Sequence, residues 1–549
     1  DQRLRWLTGF EGSAGICVLV KQRIGIFVDG RYTVQAKNQT CPPIEIINWP
    51  KIKVTDWIME VTNHGKIGFD PWLHSVDEIE QYNQSMENTE IILQTTQNLV
   101  DIIWKDQPSA PTAKAFQYED KFAGVTQSHK RKTLSKELKE KGNSAAVITL
   151  PEGIAWLLNM RGGDVEHLPI VQAFAILHSN NEVDIFVDKT KVENLAKHFG
   201  QGINIYNENE FLQHLRKLTG SVCIDKSSLP FAAYQSLIDS KANLDPRGDI
   251  TALPKACKNE IELSRARDAH LIDAIAMCKF LHWLNSQPLG MLTEIDLVIK
   301  LESFRSANPE FYDISFETIC ASGPNAALPH YRVNYESNRT IKNGDVILVD
   351  SGGQYKSGTT DITRTTALGQ ISSEIKRAFT LVLKGMISIS KLRFPKGMAG
   401  CDLDAFARVF LWSEGLDFAH GTGHGVGQFL SVHEGPQRLS RTSNIPFKAG
   451  MIISNEPGFY KEGHFGIRIE NLLAITKAPK LENSVIDEMF VFETLNFVPI
   501  DKSLIEKGLM SADEIAWLNA YHSECRQKIR EYLEPDEKIW LDQATDEIK

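Results

Sequence analysis

Five side chains in the C-terminal half of the chain, Asp350, Asp361, His424, Glu456 and Glu470, have the types and spacing to hold two metal ions between them. Asp350 closes the apolar run Val346-Ile347-Leu348-Val349, and Asp361 lies eleven positions on, inside a Thr-rich stretch that reads as a second strand. The Ser/Gly-rich residues 351–358 between them predict a hairpin that brings both carboxylates to one end of a sheet. His424 sits in His420-Gly-Thr-Gly-His-Gly-Val-Gly427, Glu456 follows the apolar run 451–455, and Glu470 ends the alternating Gly466-Ile-Arg-Ile-Glu470. Four carboxylates and one imidazole suit hard or borderline divalent ions such as Mn²⁺, Co²⁺ or Zn²⁺. Gathered without cations, four carboxylates would repel, and some would stay protonated at neutral pH. Two divalent cations cancel that charge and polarise a bridging water enough to attack a carbonyl. Any one of these acids alone reads as a solvated strand end. The ordered set on successive apolar runs does not.

Other groups in the same half could orient a substrate and steady an oxyanion. His330 lies in a Gly/Pro-broken loop, 322–330, and His420 and His433 bracket the glycine-rich segment around His424. Arg468 is two residues before Glu470, so it shares a strand face with it and can orient a ligand carboxylate. Tyr460 is placed to join that network.

The elements that must position these residues begin upstream. In the first region strands are expected at 16–20, 24–28 and 44–48, with a polar-faced helix at 76–86. The proline-marked stretch 106–112 breaks the pattern. A helix at 125–141 then precedes strands at 145–150, 173–177 and 183–187, a helix at 210–218 and a strand at 222–225. Two successive α/β units of similar composition suggest a duplication. Leu253-Pro254 punctuates the next boundary, and Asn259 is available to cap a long amphipathic helix over 260–284. The tail 511–549 is helical in pattern and reads as a packing element without chemistry. The expected domains are therefore 1–110, 111–255 and 256–549, the last with a C-terminal extension from about 490 to 549.

Bulk properties narrow the class. At 549 residues the chain is too long for one ordinary core. A formal net charge of −10, with no strong basic stripe, argues against nucleic acid as a partner. The eight cysteines are scattered and none forms a Cys-x-x-Cys pair, which points to reduced thiols in a cytoplasmic protein. No apolar run is long enough to cross a bilayer, so no membrane association is expected. Residues 1–7 read like the middle of a domain, so the natural N-terminus is expected to lie upstream. A His-Glu-x-x-His helix, a Gly-x-Ser-x-Gly elbow and a phosphate-binding loop are all missing from the sequence.

The ordered Asp, Asp, His, Glu, Glu set resembles the pita-bread metallopeptidases, a family that includes methionine aminopeptidase, prolidase and the X-prolyl aminopeptidases. Four stretches are most similar to the last group in its long, three-domain cytosolic form: Leu328-Pro-His-Tyr331, Val349-Asp-Ser-Gly-Gly-Gln-Tyr355, the 420–427 segment with Val432-His-Glu434, and Asn455-Glu-Pro-Gly-Phe-Tyr460. The resemblance covers essentially the whole chain. It implies an α/β (α+β) fold with two creatinase-like N-terminal domains, a pita-bread catalytic domain and a helical extension. It also implies an aminopeptidase that releases the first residue of peptides with proline in the second position, by attack of a metal-bridging hydroxide. Prolidase is the alternative, and a non-catalytic pita-bread module a further one that the complete ligand set disfavours. By the same resemblance Asp361 and Glu470 bridge two ions, most commonly Mn²⁺, with Asp350 on one and His424 and Glu456 on the other. Glu456 shuttles the proton, His433 supports the oxyanion, and His330 and His420 contact substrate. Phe27-Val-Asp-Gly-Arg-Tyr32 resembles a motif whose arginine, here Arg31, approaches the site of a partner subunit, so a homodimer is expected; the Asp-Gly pair also suits an ordinary turn.

Overall fold

The computed structural model of the protein describes residues 2–288 and 290–549. The described chain divides into two compact units. The N-terminal one comprises residues up to 118 with 125–165 and 170–251, and the C-terminal one comprises 119–124, 166–169 and 252–549.

The N-terminal unit is built from strands whose pairing order recurs. Ile16–Val20 pairs antiparallel with Arg23–Val28, which pairs parallel with Ile44–Asn48. His64–Phe69 and Glu90–Thr95 form a separate parallel pair. Further along, Phe174–His178 pairs antiparallel with Val183–Phe186, which pairs parallel with Ile203–Tyr206. Thr219–Cys223 and Lys241–Asp245 repeat the parallel pair, and Ala145–Ile148 joins both halves into one six-stranded sheet. The repeated order supports the duplication expected from composition. Phe27, Trp57 and Ile58 centre the first core, and Val147, Ile176, Phe186 and Phe211 the second.

In the C-terminal unit Asn259 caps the helix Glu260–Asn285, its side chain accepting from Ile261 and Glu262 while Glu262 reaches back to the Asn259 N–H. Val346–Ser351 is the central strand of an antiparallel trio with Ile319–Ser322 and Ile362–Ala367. Its apolar run is continuous because both faces are covered. Val346 packs with Phe379 and Val382 of the helix Ser373–Ser390, whereas Ile347 and Val349 pack with Met277 and Phe280 of the capped helix. Strand period two then puts Asp350 on the face of Leu348, which packs with Tyr331 and Tyr460. A second sheet runs in the order Arg393–Pro395, Met489–Thr494, Asn471–Lys477, Ile452–Asn455. The helices Ser373–Ser390 and Gly400–Trp412 approach so closely that a Cβ on Gly385 would lie 2.2 Å from the Ala407 carbonyl. Ser511 caps the tail helix Ala512–Ile529, and Pro535–Ala544 follows. Among the described residues no helix is long and apolar enough to cross a membrane.

Candidate metal centre

The five expected ligands stand where strands end or change sheet. Asp350 is the penultimate residue of Val346–Ser351 and faces Thr363 of Ile362–Ala367. Asp361 is not inside a strand, as its Thr-rich surroundings predict, but in the two-residue break between Gly358–Thr359 and Ile362–Ala367. Glu456 follows Ile452–Asn455, and Glu470 falls between Phe465–Arg468 and Asn471–Lys477. A break in the ladder lets a side chain leave the strict alternation and aim at a shared point. His424 belongs to the two-residue strand Gly423–His424. The flanking glycines are required there, because a Cβ on Gly423 would meet the Ser454 carbonyl at 1.8 Å and one on Gly425 the Glu434 carbonyl at 2.1 Å.

The geometry brings the acids and the imidazole together. Ligand atoms of Asp361, His424 and Glu470 all lie within 4.8 Å of one another. His424 Nε2 is 3.5 Å from Asp361 Oδ2 and 3.3 Å from Glu456 Oε1. Its Nδ1 is 3.0 Å from the Gly425 carbonyl, which assigns the proton to Nδ1 and turns the Nε2 lone pair towards the acids. Ser454 ties two of these residues, its hydroxyl accepting from the His424 N–H at 2.9 Å and donating to Glu456 Oε1 at 3.1 Å. Thr363 donates to Glu470 Oε2 at 2.8 Å. Neither Ser454 nor Thr363 stands out in the sequence, since isolated hydroxyl residues in strands are too common to signal a role.

Three carboxylate oxygens of the site, Asp350 Oδ1, Asp361 Oδ1 and Glu470 Oε1, are buried with no hydrogen-bond partner among the described residues. Burial, and then repulsion from Asp350 and Glu456, hold the Asp361 carboxyl well above the ordinary range. Burial and then Asp361 do the same to Glu470, and burial raises Glu456 against the opposing pull of His424. Such an arrangement is costly for the protein alone and is what divalent cations would relieve. The donor set, four carboxylates and one imidazole, fits two of them.

A second layer surrounds the acids. Arg468 donates from Nη2 to Asp350 Oδ2 and from Nη1 to the Tyr460 hydroxyl, both at 2.6 Å. Tyr460 in turn contacts His420 Nε2 at 2.8 Å, while His420 Nδ1 meets the Gly421 carbonyl at 2.7 Å. The His433 ring lies edge-on to that of His424, 4.2 Å between centroids. His330 occupies the turn after the short helix Gly323–Ala327, and its neighbours Leu328 and Tyr331 pack in one cluster with Tyr460. That loop is anchored by Glu294, which sequence reasoning missed. The buried Glu294 carboxylate accepts from Ser322 N and Oγ, Asn325 Nδ2, the Tyr331 hydroxyl and Arg339 N. Its only prior signal is the Thr293-Glu294 start of a helix, and acids are common there. Arg31 lies in the N-terminal unit, in a turn after Arg23–Val28, held by Asp29 at 2.7 Å and set over the Tyr32 ring.

Comparison with known proteins places the chain. Residues 264–477 match the model of metallopeptidase family M24 and 488–548 that of its C-terminal region. Residues 1–101 and 106–262 match two Creatinase/Prolidase N-terminal domain models. The probable Xaa-Pro aminopeptidase P of Laccaria bicolor is 36% identical over 98% of this chain and 87% of its own. Aminopeptidase P1 of Arabidopsis thaliana is 33% identical over 100% of this chain and 94% of its own. Among solved structures, the X-prolyl aminopeptidase from Caenorhabditis elegans, described as a cytosolic enzyme with a di-nuclear active site, superposes with a TM-score of 0.95. It is 33% identical and covers 100% of this chain and 92% of its own. Buried acids that converge on one imidazole, on a scaffold shared from end to end with these relatives, assign the chain to metallopeptidase family M24, in the group of the Xaa-Pro aminopeptidases P.

Proposed function

We propose that this metallo-aminopeptidase releases the first residue of peptides carrying proline in the second position. The observation that carries the reading is the meeting of Asp361, His424 and Glu470 within 4.8 Å, with buried carboxylate oxygens that have no hydrogen-bond partner among the described residues. Two divalent ions held by Asp350, Asp361, His424, Glu456 and Glu470, with Asp361 and Glu470 shared, would supply a polarised water and a Lewis acid for the scissile carbonyl. Mn²⁺ is the ion we assign, Co²⁺ and Zn²⁺ being compatible with the same donors.

The chain's own groups do the rest. Glu456, steered by Ser454, takes the proton of the attacking water and returns it to the leaving prolyl nitrogen. His433, beside His424, donates to the developing oxyanion. Arg468 and Tyr460 hold Asp350 in place, and with His420 and His330 they form the substrate side. Arg31 is assigned as a substrate contact offered to a partner subunit of a homodimer, and the cytosol as the setting, in line with the Caenorhabditis elegans relative's description. The division into domains at about 110 and 255 belongs to the same reading.

Proline has no N–H, so a site built around it need offer no acceptor there. Alanine would bring a donor that costs roughly 1–3 kcal/mol if left unpaired, about 5- to 150-fold in rate. The Mn²⁺-loaded enzyme should therefore cleave Ala-Pro-Ala at least about fivefold faster than Ala-Ala-Ala. Equal rates would refute the proline preference, and cleavage confined to X-Pro dipeptides would make the enzyme a prolidase.

A further inference from the structure

The C-terminal extension reaches the back of the centre through one tyrosine. Tyr521, on the helix Ala512–Ile529, is buried and stacks with Trp517 at 5.4 Å. Its hydroxyl accepts from Arg364 Nη2 at 2.7 Å and from the Val498 N–H at 3.2 Å. The hydroxyl oxygen lies 2.8 Å from the Val498 carbonyl and 3.1 Å from the Asn496 carbonyl, either of which can accept its single hydrogen. The next residue, His522, accepts the Ile500 N–H through Nε2. Two successive side chains of the tail thus grip the segment 496–500.

That segment and Arg364 touch the main chain of both acids proposed to serve the two ions together. Asn496 Nδ2 donates to the Asp361 carbonyl at 3.0 Å. Arg364 Nη1 donates to the Glu470 carbonyl at 2.6 Å and to the Thr363 carbonyl at 2.9 Å. Arg364 Nε and Nη2 bind the carbonyls of Val498 and Pro499, and Nη2 also binds Asn471 Oδ1. The guanidinium is buried, and every one of these acceptors is neutral. Its planar fork therefore acts as a fixed template joining three backbone segments and the Tyr521 hydroxyl, a task for which lysine lacks the geometry.

We propose that Tyr521 is a positioning residue of the metal centre: through Arg364 and the 496–500 segment, the C-terminal extension sets the separation of the Asp361 and Glu470 carboxylates. The extension is then a structural part of the centre and not a packing helix alone. Groups that orient ligands from behind typically change metal affinity by 10–100-fold when removed.

The test is Mn²⁺ affinity of the full-length chain, measured by titration of metal-stripped protein alongside thermal unfolding with and without Mn²⁺. Tyr521→Phe keeps the ring and its stacking, and should weaken Mn²⁺ binding about tenfold and shrink the Mn²⁺-induced rise in Tm. Arg364→Lys should do so more strongly. Thr545→Ala loosens the same extension elsewhere, where Thr545 holds Arg526, and should lower Tm with Mn²⁺ affinity unchanged. Tyr521→Phe that binds Mn²⁺ within about twofold of the unaltered protein overturns the inference, even if Arg364→Lys fails to fold. So does an equal loss of affinity in Thr545→Ala. The inference rests on the dinuclear reading: an unaltered chain that takes up no Mn²⁺ would overturn both, whereas normal uptake with unchanged Tyr521→Phe overturns the inference alone.

Discussion

Glu294, Glu434 and Glu470 are all buried carboxylates of the C-terminal unit, yet they are stabilised in different ways. Glu294 is surrounded by neutral donors, two from Ser322 and one each from Tyr331, Asn325 and the Arg339 N–H among them. Glu434 is gripped by Lys255 at 2.7 Å and Lys258 at 3.0 Å. Burial would raise its carboxyl, and the two ammonium groups outweigh that and hold it below the usual range. Among the described residues Glu470 has Thr363 alone as a hydrogen-bond donor, on one oxygen, and Asp361 and Glu456 press on it from the same pocket. Neutral donors surround the first acid, and two ammonium groups offset the charge of the second. The third carries a charge that its neighbours raise in cost, which is what the proposed metal centre would relieve.

The comparison can be broken most directly by removing metal. Exhaustive chelation should abolish turnover and also destabilise the fold. Ligand at about 100 times Kd contributes roughly 2.7 kcal/mol, so loss of it should lower Tm by several degrees. Full turnover and an unshifted melting curve, on protein verified as metal-free, would place Glu470 with the structural acids.

Single substitutions sharpen the contrast. Asp361→Asn and Glu470→Gln should each weaken metal binding by about a hundredfold or more, since a ligand should cost at least as much as the groups that orient it. His330→Ala should retain metal and raise KM. Metal analysis of the three purified variants decides, and metal loss in His330→Ala alone would mean the roles are reversed.

Glu434→Gln removes one partner of a buried ion cluster and should cost about 3–5 kcal/mol. Glu294→Gln substitutes a donor for one acceptor oxygen and should cost about 1–3 kcal/mol, with a higher KM because the His330 loop loses its anchor. Denaturant unfolding of the metal-loaded proteins gives both values. Rescue of either variant by added Mn²⁺ would show that the acid had been a ligand after all.

The last effect concerns a buried base and is confined to acid pH. Burial, with Lys502 and Arg364 nearby, pushes the His522 imidazole down to about 3. Above about pH 6.5 the ring is neutral in both folded and unfolded chain, and the stability is fully present. As pH falls from there towards 3, the unfolded chain gains a proton that the folded one refuses. Stability is then lost at roughly 1.4 kcal/mol per pH unit for this group. His522→Gln keeps an acceptor for the Ile500 N–H and should flatten that part of the curve. Parallel curves for variant and parent would refute it.

The amino-acid order was enough to single out the five candidate ligands, three of which, Asp361, His424 and Glu470, the fold brings within 4.8 Å, because each closes or follows an apolar run whose period is local. Asn259 as the start of the long helix was legible for the same reason, since a cap and its box lie within four residues. The edges of the short strands were less legible: Asp361 looked embedded in a strand because Thr and Ile favour one, and the break there comes from the switch of sheet partners. Glu294, Ser454, Arg364 and Tyr521 could not be read in advance. Their partners lie from 1 to 157 positions away, and a lone Glu, Ser, Arg or Tyr carries no periodic signal. The tail illustrates the limit well. Its helical pattern was plain, but only packing could bring Tyr521 to Arg364, because a hydrogen bond depends on distance and direction in space, and sequence spacing encodes neither beyond a single element.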